Sequence, residues 1–208
     1  MMVRFALRSL LLVAFTLAAA CSPPPDEPLA PESWTSSLEL DDTGWLMNVH
    51  GTAHDDRYAV GGTLSEGGMV HFDGEAWSPV DFGHEVPLLN WIHGDGSGRY
   101  VAVGQGGVAL HFDGQTWTLM ETPTDQNLWG VWGASMDDLW AVGGDAFPSD
   151  DLRAVVLRWD GTAWTELPAP DPLGAGDVYA WFKVWGSSAS DVYIVGQKGA
   201  VLRWDGAA

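Results

Sequence analysis

Carboxylates are the side chains in this sequence whose spacing first suggests chemistry. Asp145, Asp150 and Asp151 fall within one short segment, DAFPSDDLR, which ends at Arg153. Carboxylate oxygens grouped in this way are ligands for a hard cation such as calcium. The competing interpretation is a solvated acidic loop on an acidic protein, and we favour it. We therefore predict no cofactor and keep calcium as the alternative.

Histidines recur in pairs that resemble metal ligands. His50 and His93 stand at one place of a repeated pattern, and His71 and His111 stand at another. Zinc ligands must lie roughly 2 Å from one ion. Equivalent positions in neighbouring packed sheets should instead lie on the order of 10 Å apart. We therefore interpret the pairs as a product of the repeat and predict no metal site.

Catalytic motifs are not recognisable in the sequence. It contains no HExxH, no nucleophile elbow and no phosphate-binding glycine loop. A hydrolase or lyase of the sialidase kind needs convergent arginines, or a base and a nucleophile within hydrogen-bond reach. Most arginines after the leader fall at strand or turn positions of the repeat. We predict no catalytic residue and favour a binding module, with an enzyme whose catalytic residues lie in missing repeats as the alternative.

The first twenty residues predict a cleaved secretory signal. Arg4 and Arg8 precede an apolar stretch over residues 10–20, which is the layout of an export signal. The stretch is too short to span a bilayer comfortably, because a transmembrane helix needs about 20 apolar residues. Small residues and then Cys21 follow it directly.

Cys21 is the only cysteine in the chain. Its position after Ala18-Ala19-Ala20 resembles the lipobox of bacterial lipoproteins. The resemblance implies that Cys21 becomes the first mature residue and carries a lipid such as palmitate, and Ser22 is compatible with sorting to an outer membrane. We expect a lipid-anchored protein of the cell envelope, at the outer membrane or cell surface. Ordinary cleavage that leaves a free thiol is the alternative.

The mature chain begins with a proline-rich tether and is strongly acidic. Residues 21–32 contain prolines, acids and little to bury, which is typical of a semi-rigid spacer. A single cysteine excludes an internal disulfide. The net charge of the whole chain is −19, and loss of Arg4 and Arg8 makes it more negative. Such a charge excludes nucleic acid as a partner, and membrane contact is expected only through the lipid.

A repeat organises residues 33–208. Its anchor glycines Gly51, Gly94, Gly133 and Gly186 are 43, 39 and 53 residues apart. Each unit contains four short apolar or alternating segments, which predict strands A to D. Four-stranded units of this length predict an all-β fold, a β-propeller of four-stranded antiparallel blades. The predicted blades cover approximately residues 44–87, 88–127, 128–180 and 181–208.

Aspartates recur at the two short turns of each unit. An Asp-Gly pair separates strands C and D in every copy, because a tight turn needs the positive φ that glycine adopts easily. Aspartates at the A–B turn are expected to hydrogen-bond their own backbone in the same manner. The first set comprises Asp73, Asp113, Asp160 and Asp205, and the second comprises Asp55, Asp56, Asp137, Asp138 and Asp191.

The third repeat, WAVGG…LRWDGTAWTELPAP, resembles the kelch family of propeller repeats. It is more loosely similar to the Asp-box repeats of sialidase-type propellers. The resemblance implies the fold and says little about activity. The repeat itself predicts that the tryptophans that recur once per unit, Trp77, Trp117 and Trp164, pack in the core between blades.

The sequence leaves two alternatives for how the predicted propeller is completed. Residues 33–40 look like a D strand without a partner, while the fourth repeat stops after its C–D turn. The N-terminal segment could complete the last blade and close a ring of four. Alternatively, the sequence is a partial or truncated propeller, and we favour this interpretation because four blades is the low limit for a ring.

Loop lengths divide the predicted propeller into two faces. The A–B and C–D turns have nearly constant length, whereas the B–C and D–A connections vary and should project from the opposite face. Variable loops on a rigid scaffold are the default binding site, and we expect a protein or polysaccharide ligand there. The predicted ligand-binding residues are Phe82, His84, Glu85, Asp145, Phe147, Asp150, Asp151 and Arg153, with Phe82 and Phe147 as exposed aromatics.

Overall fold

A computed structural model of the chain describes residues 35–38, 44–145, 153–168 and 178–207. In these ranges it is all-β, with fifteen strands and two short 3₁₀ turns, Gln105–Gly107 and Gln197–Gly199. The strands are β1 (Trp45–Ala53), β2 (Asp56–Gly62), β3 (Gly67–Phe72), β4 (Trp77–Pro79), β5 (Leu89–Gly94), β6 (Tyr100–Gly104), β7 (Ala109–Phe112), β8 (Trp117–Met120), β9 (Leu128–Ser135), β10 (Asp138–Gly143), β11 (Val155–Trp159), β12 (Trp164–Leu167), β13 (Trp181–Ser188), β14 (Asp191–Gly196) and β15 (Val201–Trp204).

Each repeat forms one antiparallel sheet in which strands neighbour each other in chain order. Blade 1 contains β1 to β4, blade 2 contains β5 to β8, and blade 3 contains β9 to β12. The predicted all-β propeller of antiparallel blades is confirmed. The sheet of blade 4 contains three strands, β13 to β15, among the described residues, as expected for a fourth repeat that stops after its C–D turn.

The predicted closing segment lies only partly within the described residues. Residues 35–38 are not in a strand, and the rest of residues 33–40 lies outside the described ranges. Closure by this segment therefore stays a prediction. In the part of the chain that the structure describes, no helix is long and apolar enough to cross a membrane.

The Asp-Gly turns form as predicted. The Asp160 carboxylate accepts hydrogen bonds from the backbone N–H of Thr162 and Ala163, both at 2.9 Å, and Gly161 has a φ of 92°. These bonds stabilise the ionised form, so they and the Thr162 hydroxyl lower the pKa of Asp160 to about 2. The carboxylates of Asp73, Asp113 and Asp205 also accept backbone N–H groups from the residues that follow.

The core consists of three clusters, one at each junction between successive blades. The first joins Tyr58, Val60 and Met69 of blade 1 to blade 2. The second joins blades 2 and 3, and the third joins blades 3 and 4. Trp117 and Trp164 are buried in the first and second clusters, as predicted. Trp77 is only half-buried. Neighbouring blades therefore bury each other's faces, as repeat architectures require.

The two kinds of loop lie at opposite ends of the blades. At one end the C–D turn meets the A–B turn, since a Cβ added to Gly74 would lie 2.8 Å from the Asp55 side chain. At the other end the B–C connection of each blade bonds the backbone just before strand A of the same or the next blade. These bonds join Gly67 to Val86, Gln105 to Leu88, Gly144 to Asn127 and Gln197 to Ala180. We call the first end the constant face and the second the variable face.

Candidate binding face

Phe82 corrects the prediction of an exposed aromatic on the variable face. It is buried in the cluster between blades 1 and 2. The chain folds back after β4, with the N–H of Val80 donating to the carbonyl of Met69 at 2.9 Å. This brings the Phe82 ring over the end of the cluster, where burial of its apolar surface stabilises the junction. The expectation that Phe82 is exposed is wrong.

His84 and Glu85 lie on the variable face and are exposed. Together with Ser65, Glu66 and Gly67 of the blade 1 B–C loop they line a depression of about 410 Å³. The N–H of Gly67 donates to the carbonyl of Val86 at 2.7 Å, which holds the two loops together. The structure therefore brings these two predicted residues together in one polar recess.

Asp145 and Arg153 flank the third B–C loop. Phe147, Asp150 and Asp151, which complete the predicted set there, lie outside the described residues. Arg153 forms a bidentate ion pair with Glu166, in which Nη2 and Oε2 are 2.8 Å apart. Glu166 raises the pKa of Arg153. This pair fixes the guanidinium against strand β12 of its own blade, so Arg153 supports the loop.

The calcium alternative depends mostly on residues outside the described ranges. Among the described residues, no group of three or more histidine, cysteine or acidic side chains could hold a metal ion. Asp145 is anchored through its backbone, because its N–H donates to the carbonyl of Tyr179 at 3.1 Å. Calcium in this loop therefore stays an untested alternative to the prediction of no cofactor.

Residues from three different blades meet near the variable ends of the inner strands. The Nζ of Lys183 lies 3.8 Å from the centroid of the Trp91 ring, which is a close cation–π contact. It also donates to the carbonyl of Trp129 at 2.8 Å. The indole N–H of Trp129 donates to the carbonyl of Gly144 at 2.7 Å. We call Trp91, Trp129 and Lys183 the axial cluster, because the inner strands of blades 2, 3 and 4 supply them.

Lys183 has an unusual ionisation. Packing against the protein removes part of the hydration of its ammonium group and lowers the pKa to about 8. Near neutral pH the group is therefore a cation that readily gives up its proton. The axial cluster presents this amine over the indole ring of Trp91, and the two groups can offer a partner hydrogen bonding and aromatic surface.

The sequence carried a weak signal for the axial cluster. Asn48, Trp91, Gly130 and Lys183 occupy the same repeat position, directly before a β-branched residue of strand A. The chemical class changes in every copy, whereas the following position keeps a β-branched residue. When the residue at one repeat position changes chemical class from blade to blade, that residue does not have to fill the same packing role in every blade.

Aspartates on the constant face correct a second prediction. Asp56 accepts hydrogen bonds from the Thr52 hydroxyl and His71 Nε2, both at 2.9 Å, and from the hydroxyl of Tyr100. These bonds lower the pKa of Asp56 against the opposing effect of burial. Asp138 and Asp191 pair with Arg158 and Arg203 of strand C. The prediction was that Asp56, Asp138 and Asp191 hydrogen-bond their own turn backbone, and the bonds found here instead tie strand B to strand C.

His50 and His93 also differ from expectation. Their ring centroids are 5.2 Å apart, so the predicted spacing on the order of 10 Å is wrong. The inner strands converge toward the axis, which brings repeat-equivalent side chains close together. His50 Nε2 lies 3.1 Å from the carbonyl of Gly94, and His93 Nε2 lies 3.0 Å from that of Gly133. Each histidine therefore joins its own blade to the anchor glycine of the next.

Comparison with known proteins supports the fold. No protein family model matches the chain, and no curated protein matches it. Among solved structures, "YCF48 from Cyanidioschyzon merolae" is similar with a TM-score of 0.55 and 15% identity, over 79% of this chain and 52% of that chain. A second structure, "YCF48 bound to D1 peptide", has a TM-score of 0.32 and 13% identity, over 81% and 80% of the two chains.

The fold and the first of these similarities place the chain among the β-propellers. YCF48 is one protein to which it is similar, and the chain spans about half the length of that structure, 52%. At this identity the likeness concerns the fold alone.

Proposed function

We propose that the chain is a lipid-anchored binding module of the cell envelope that holds a protein partner at the variable face. The observation that carries the proposal is the contrast between the two faces. Asp-based bonds fix the constant face in blade after blade, while the variable face combines loops of unequal length with the axial cluster. A rigid scaffold with variable loops is the usual architecture of a binding site.

The chemistry of the variable face favours a partner with a basic surface. Glu66 and Glu85 line its polar recess, and the chain as a whole has a net charge of −19. Such a field attracts positively charged segments and speeds their association. The lining of the recess is mostly polar, which suits a protein surface better than an enclosed small molecule.

Photo-crosslinking tests the position of the binding surface. A benzophenone amino acid replaces Glu85 on the variable face of the full chain in intact cells, and the control carries it at Glu75 beside a C–D turn. Both side chains are exposed. We expect a discrete protein adduct from position 85 and none from position 75. Adducts from position 75 alone, or a polysaccharide adduct from position 85, would contradict the proposal.

Lipid anchoring has its own test. Cells that express the chain are labelled with radioactive palmitate, and Cys21→Ser is the matched control. We expect label and membrane fractionation for the unchanged chain, and loss of both for Cys21→Ser, because Cys21 is the only cysteine. An unlabelled, fully soluble Cys21 chain would mean ordinary cleavage and a free thiol.

A further inference from the structure

The junction between blades 2 and 3 lacks an aromatic bridge that the junctions on either side of it have. At the junction of blades 1 and 2, the Tyr58 ring of strand B lies 6.1 Å from the Phe112 ring of the next blade. At the junction of blades 3 and 4, the ring of Trp140 lies 5.4 Å from that of Trp204. Blade 2 has Val101 at the position of Tyr58 and Trp140. Valine has no ring that could reach the next blade.

The strand registers show that these positions are equivalent. In each blade the strand B residue pairs with a histidine or arginine of strand C. These pairs are Tyr58 with His71, Val101 with His111, and Trp140 with Arg158. The last aromatic residue of strand C then pairs with the first tryptophan of strand D. These pairs are Phe112 with Trp117 in blade 2, and Trp159 with Trp164 in blade 3.

The Tyr58 ring is surrounded by three of these residues at the first junction. Its centroid lies 4.2 Å from that of His71, 6.1 Å from that of Phe112 and 5.8 Å from that of Trp117. The histidine belongs to its own blade, and the other two rings belong to the next blade. A tyrosine in this place therefore packs between a histidine and two aromatic rings, which is favourable geometry for aromatic groups.

A cavity of about 500 Å³ lies at the junction of blades 2 and 3. His111, Trp159 and Trp164 line it, and they are the equivalents of the three residues around the Tyr58 ring. Thr162 of the C–D turn of blade 3 also lines it. Trp159 and His111 are half-buried. We call the space lined by these four residues the outer cavity.

A second departure from the repeat leaves His111 without a bonded partner. In the other blades an aspartate of strand B bonds the strand C residue, as Asp56 bonds His71 Nε2 at 2.9 Å. Blade 2 has Arg99 at the aspartate position, and Arg99 pairs with aspartates of neighbouring turns instead. Within the part of the chain that the structure describes, neither ring nitrogen of His111 forms a hydrogen bond. Its hydrogen-bonding capacity is therefore unused, which is uncommon for a polar group that is partly buried.

The imidazole of His111 is neutral near pH 7. Burial and then the Arg99 guanidinium lower its pKa, and the carboxylates of Asp113, Asp137 and Asp95 act in the opposite direction. A neutral imidazole has one nitrogen that accepts a hydrogen bond and one that donates. A hydroxyl group placed in the outer cavity can therefore donate to His111.

We infer that the outer cavity receives a tyrosine side chain of the protein partner. The ring takes the place that Tyr58 fills at the first junction, beside Trp159 and Trp164, and its hydroxyl donates to His111. The arginine of blade 3 has a tryptophan beside it and the histidine of blade 1 has a tyrosine, so a place beside His111 suits tyrosine. Aromatic anchors that fill pockets often dominate the affinity of protein interfaces.

The inference rests on the proposed function, because the tyrosine belongs to the protein that the variable face holds. The D–A connection between blades 2 and 3 belongs to that face, and its residues 121–123 form one end of the outer cavity. A protein seated on the variable face can therefore reach the cavity. The cavity adds a specific anchor to a face whose other described features are polar loops and the axial cluster.

Titration with N-acetyl-tyrosinamide tests the chemistry of the outer cavity. The full chain with Cys21→Ser is labelled with ¹⁵N, and amide signals are followed by NMR. We expect signals of His111 and Trp159 to shift with a dissociation constant on the order of 1–10 mM, as for a small fragment. Signals of His71 and Phe112 should not shift, because Tyr58 already fills their junction. Absence of shifts at the outer cavity, or stronger shifts there with methyl glucoside, would overturn the inference.

Two substitutions at Val101 provide the matched pair for this titration. Val101→Tyr restores the bridge from within the chain and should weaken binding of N-acetyl-tyrosinamide about tenfold or more. Val101→Ile adds bulk without a ring and should leave binding close to that of the parent. Circular dichroism establishes that both variants are folded. Equal binding by Val101→Tyr and the parent would overturn the inference.

The hydroxyl has a separate test that does not depend on filling the cavity. N-acetyl-phenylalaninamide should bind the parent about threefold to tenfold more weakly than N-acetyl-tyrosinamide, because it lacks the hydrogen bond to His111. His111→Leu should remove this preference and retain binding of the phenylalanine probe. A preference for tyrosine that persists in His111→Leu would overturn the role of His111.

Crosslinking from position 85 separates the inference from the proposed function. Val101→Tyr should reduce the yield of the protein adduct about tenfold, while Val101→Ile should preserve it. An undiminished adduct with Val101→Tyr would overturn the inference and leave the proposed function standing. Binding of N-acetyl-tyrosinamide in the outer cavity of a parent chain that gives no protein adduct would contradict the proposed function and support the cavity's preference for a phenol ring.

Discussion

Single positions of the repeat carry different chemistry in different blades. The position of His50 and His93 holds tryptophan in blades 3 and 4, and both types join one blade to the next. The position of Trp91 and Lys183 holds asparagine in blade 1, where the Asn48 side chain accepts the N–H of Ile92 at 3.0 Å. The backbone of each blade is therefore a constant support, while side chains at the axis differ.

Lys183 should react faster than the other lysine of the chain. Its pKa is lowered to about 8, so a large fraction is the neutral, nucleophilic amine at pH 8. We expect a limiting pulse of acetylating reagent at pH 8 to label Lys183 before Lys198, with a rate that rises through a midpoint near pH 8. Mass spectrometry of the peptides measures both sites. Equal labelling at every pH would contradict the described environment of Lys183.

His93 should make stability depend on pH. Burial lowers its folded pKa to about 4, below the ordinary 6.5. Between these values the unfolded state binds the proton more readily, so stability is present above pH 6.5 and is lost as pH falls toward 4. At 1.36 kcal/mol per unit the loss is at most about 3 kcal/mol.

The matched variant is His93→Gln, which keeps a donor for the Gly133 carbonyl without titrating. Urea unfolding at pH 7 and pH 4.5 should show a smaller loss of free energy for His93→Gln than for the parent. The lowered pKa of His50 leaves part of the dependence in place. An identical loss in both proteins would show that His93 does not contribute.

At the scale of elements, the buried apolar contacts that stabilise the fold lie at the junctions between sheets. Leu157 is fully buried in the cluster between blades 2 and 3, so Leu157→Ala should lower the free energy of unfolding by about 2–5 kcal/mol through lost contacts and a cavity. Leu119→Ala, on an exposed position of β8, should change it by about 0.5 kcal/mol or less. Equal effects in denaturant unfolding would contradict the assignment of the core.

Local rules predicted the strands and their turns because both depend on nearby residues. Alternating apolar residues gave the strands, and Asp-Gly gave every C–D turn. Pairings between strands were not predictable in the same way. Asp56 bonds His71 from the same sheet but also Tyr100 from the next blade, and nothing in the spacing of these residues specifies that contact.

The sequence predicted which end of the blades carries the binding face. It predicted the individual residues of that face less well. Loop lengths correctly separated the variable from the constant end. The burial of Phe82 depends on how the chain after β4 folds back over the first cluster, which composition does not specify. The axial cluster depends on convergence of three inner strands, so Trp91, Trp129 and Lys183 are far apart in sequence and close only in the fold.

At the scale of the whole molecule, four blades follow one another in chain order, each a separate antiparallel sheet. The sequence left ring closure open between a closed ring of four and a partial propeller. Val49 of blade 1 and Val195 of blade 4 are both exposed, and closure by residues 33–40 stays a prediction.

Amide hydrogen exchange is the measurement that tests the central claim most directly. The protein captured from position 85 is added to the full chain, and protection is followed along the backbone. We predict new protection in the B–C and D–A connections, residues 63–66, 82–86 and 121–127, with none at the C–D turns, residues 73–76 and 113–116. Protection at the C–D turns without change in those connections would contradict a binding module that works through its variable face.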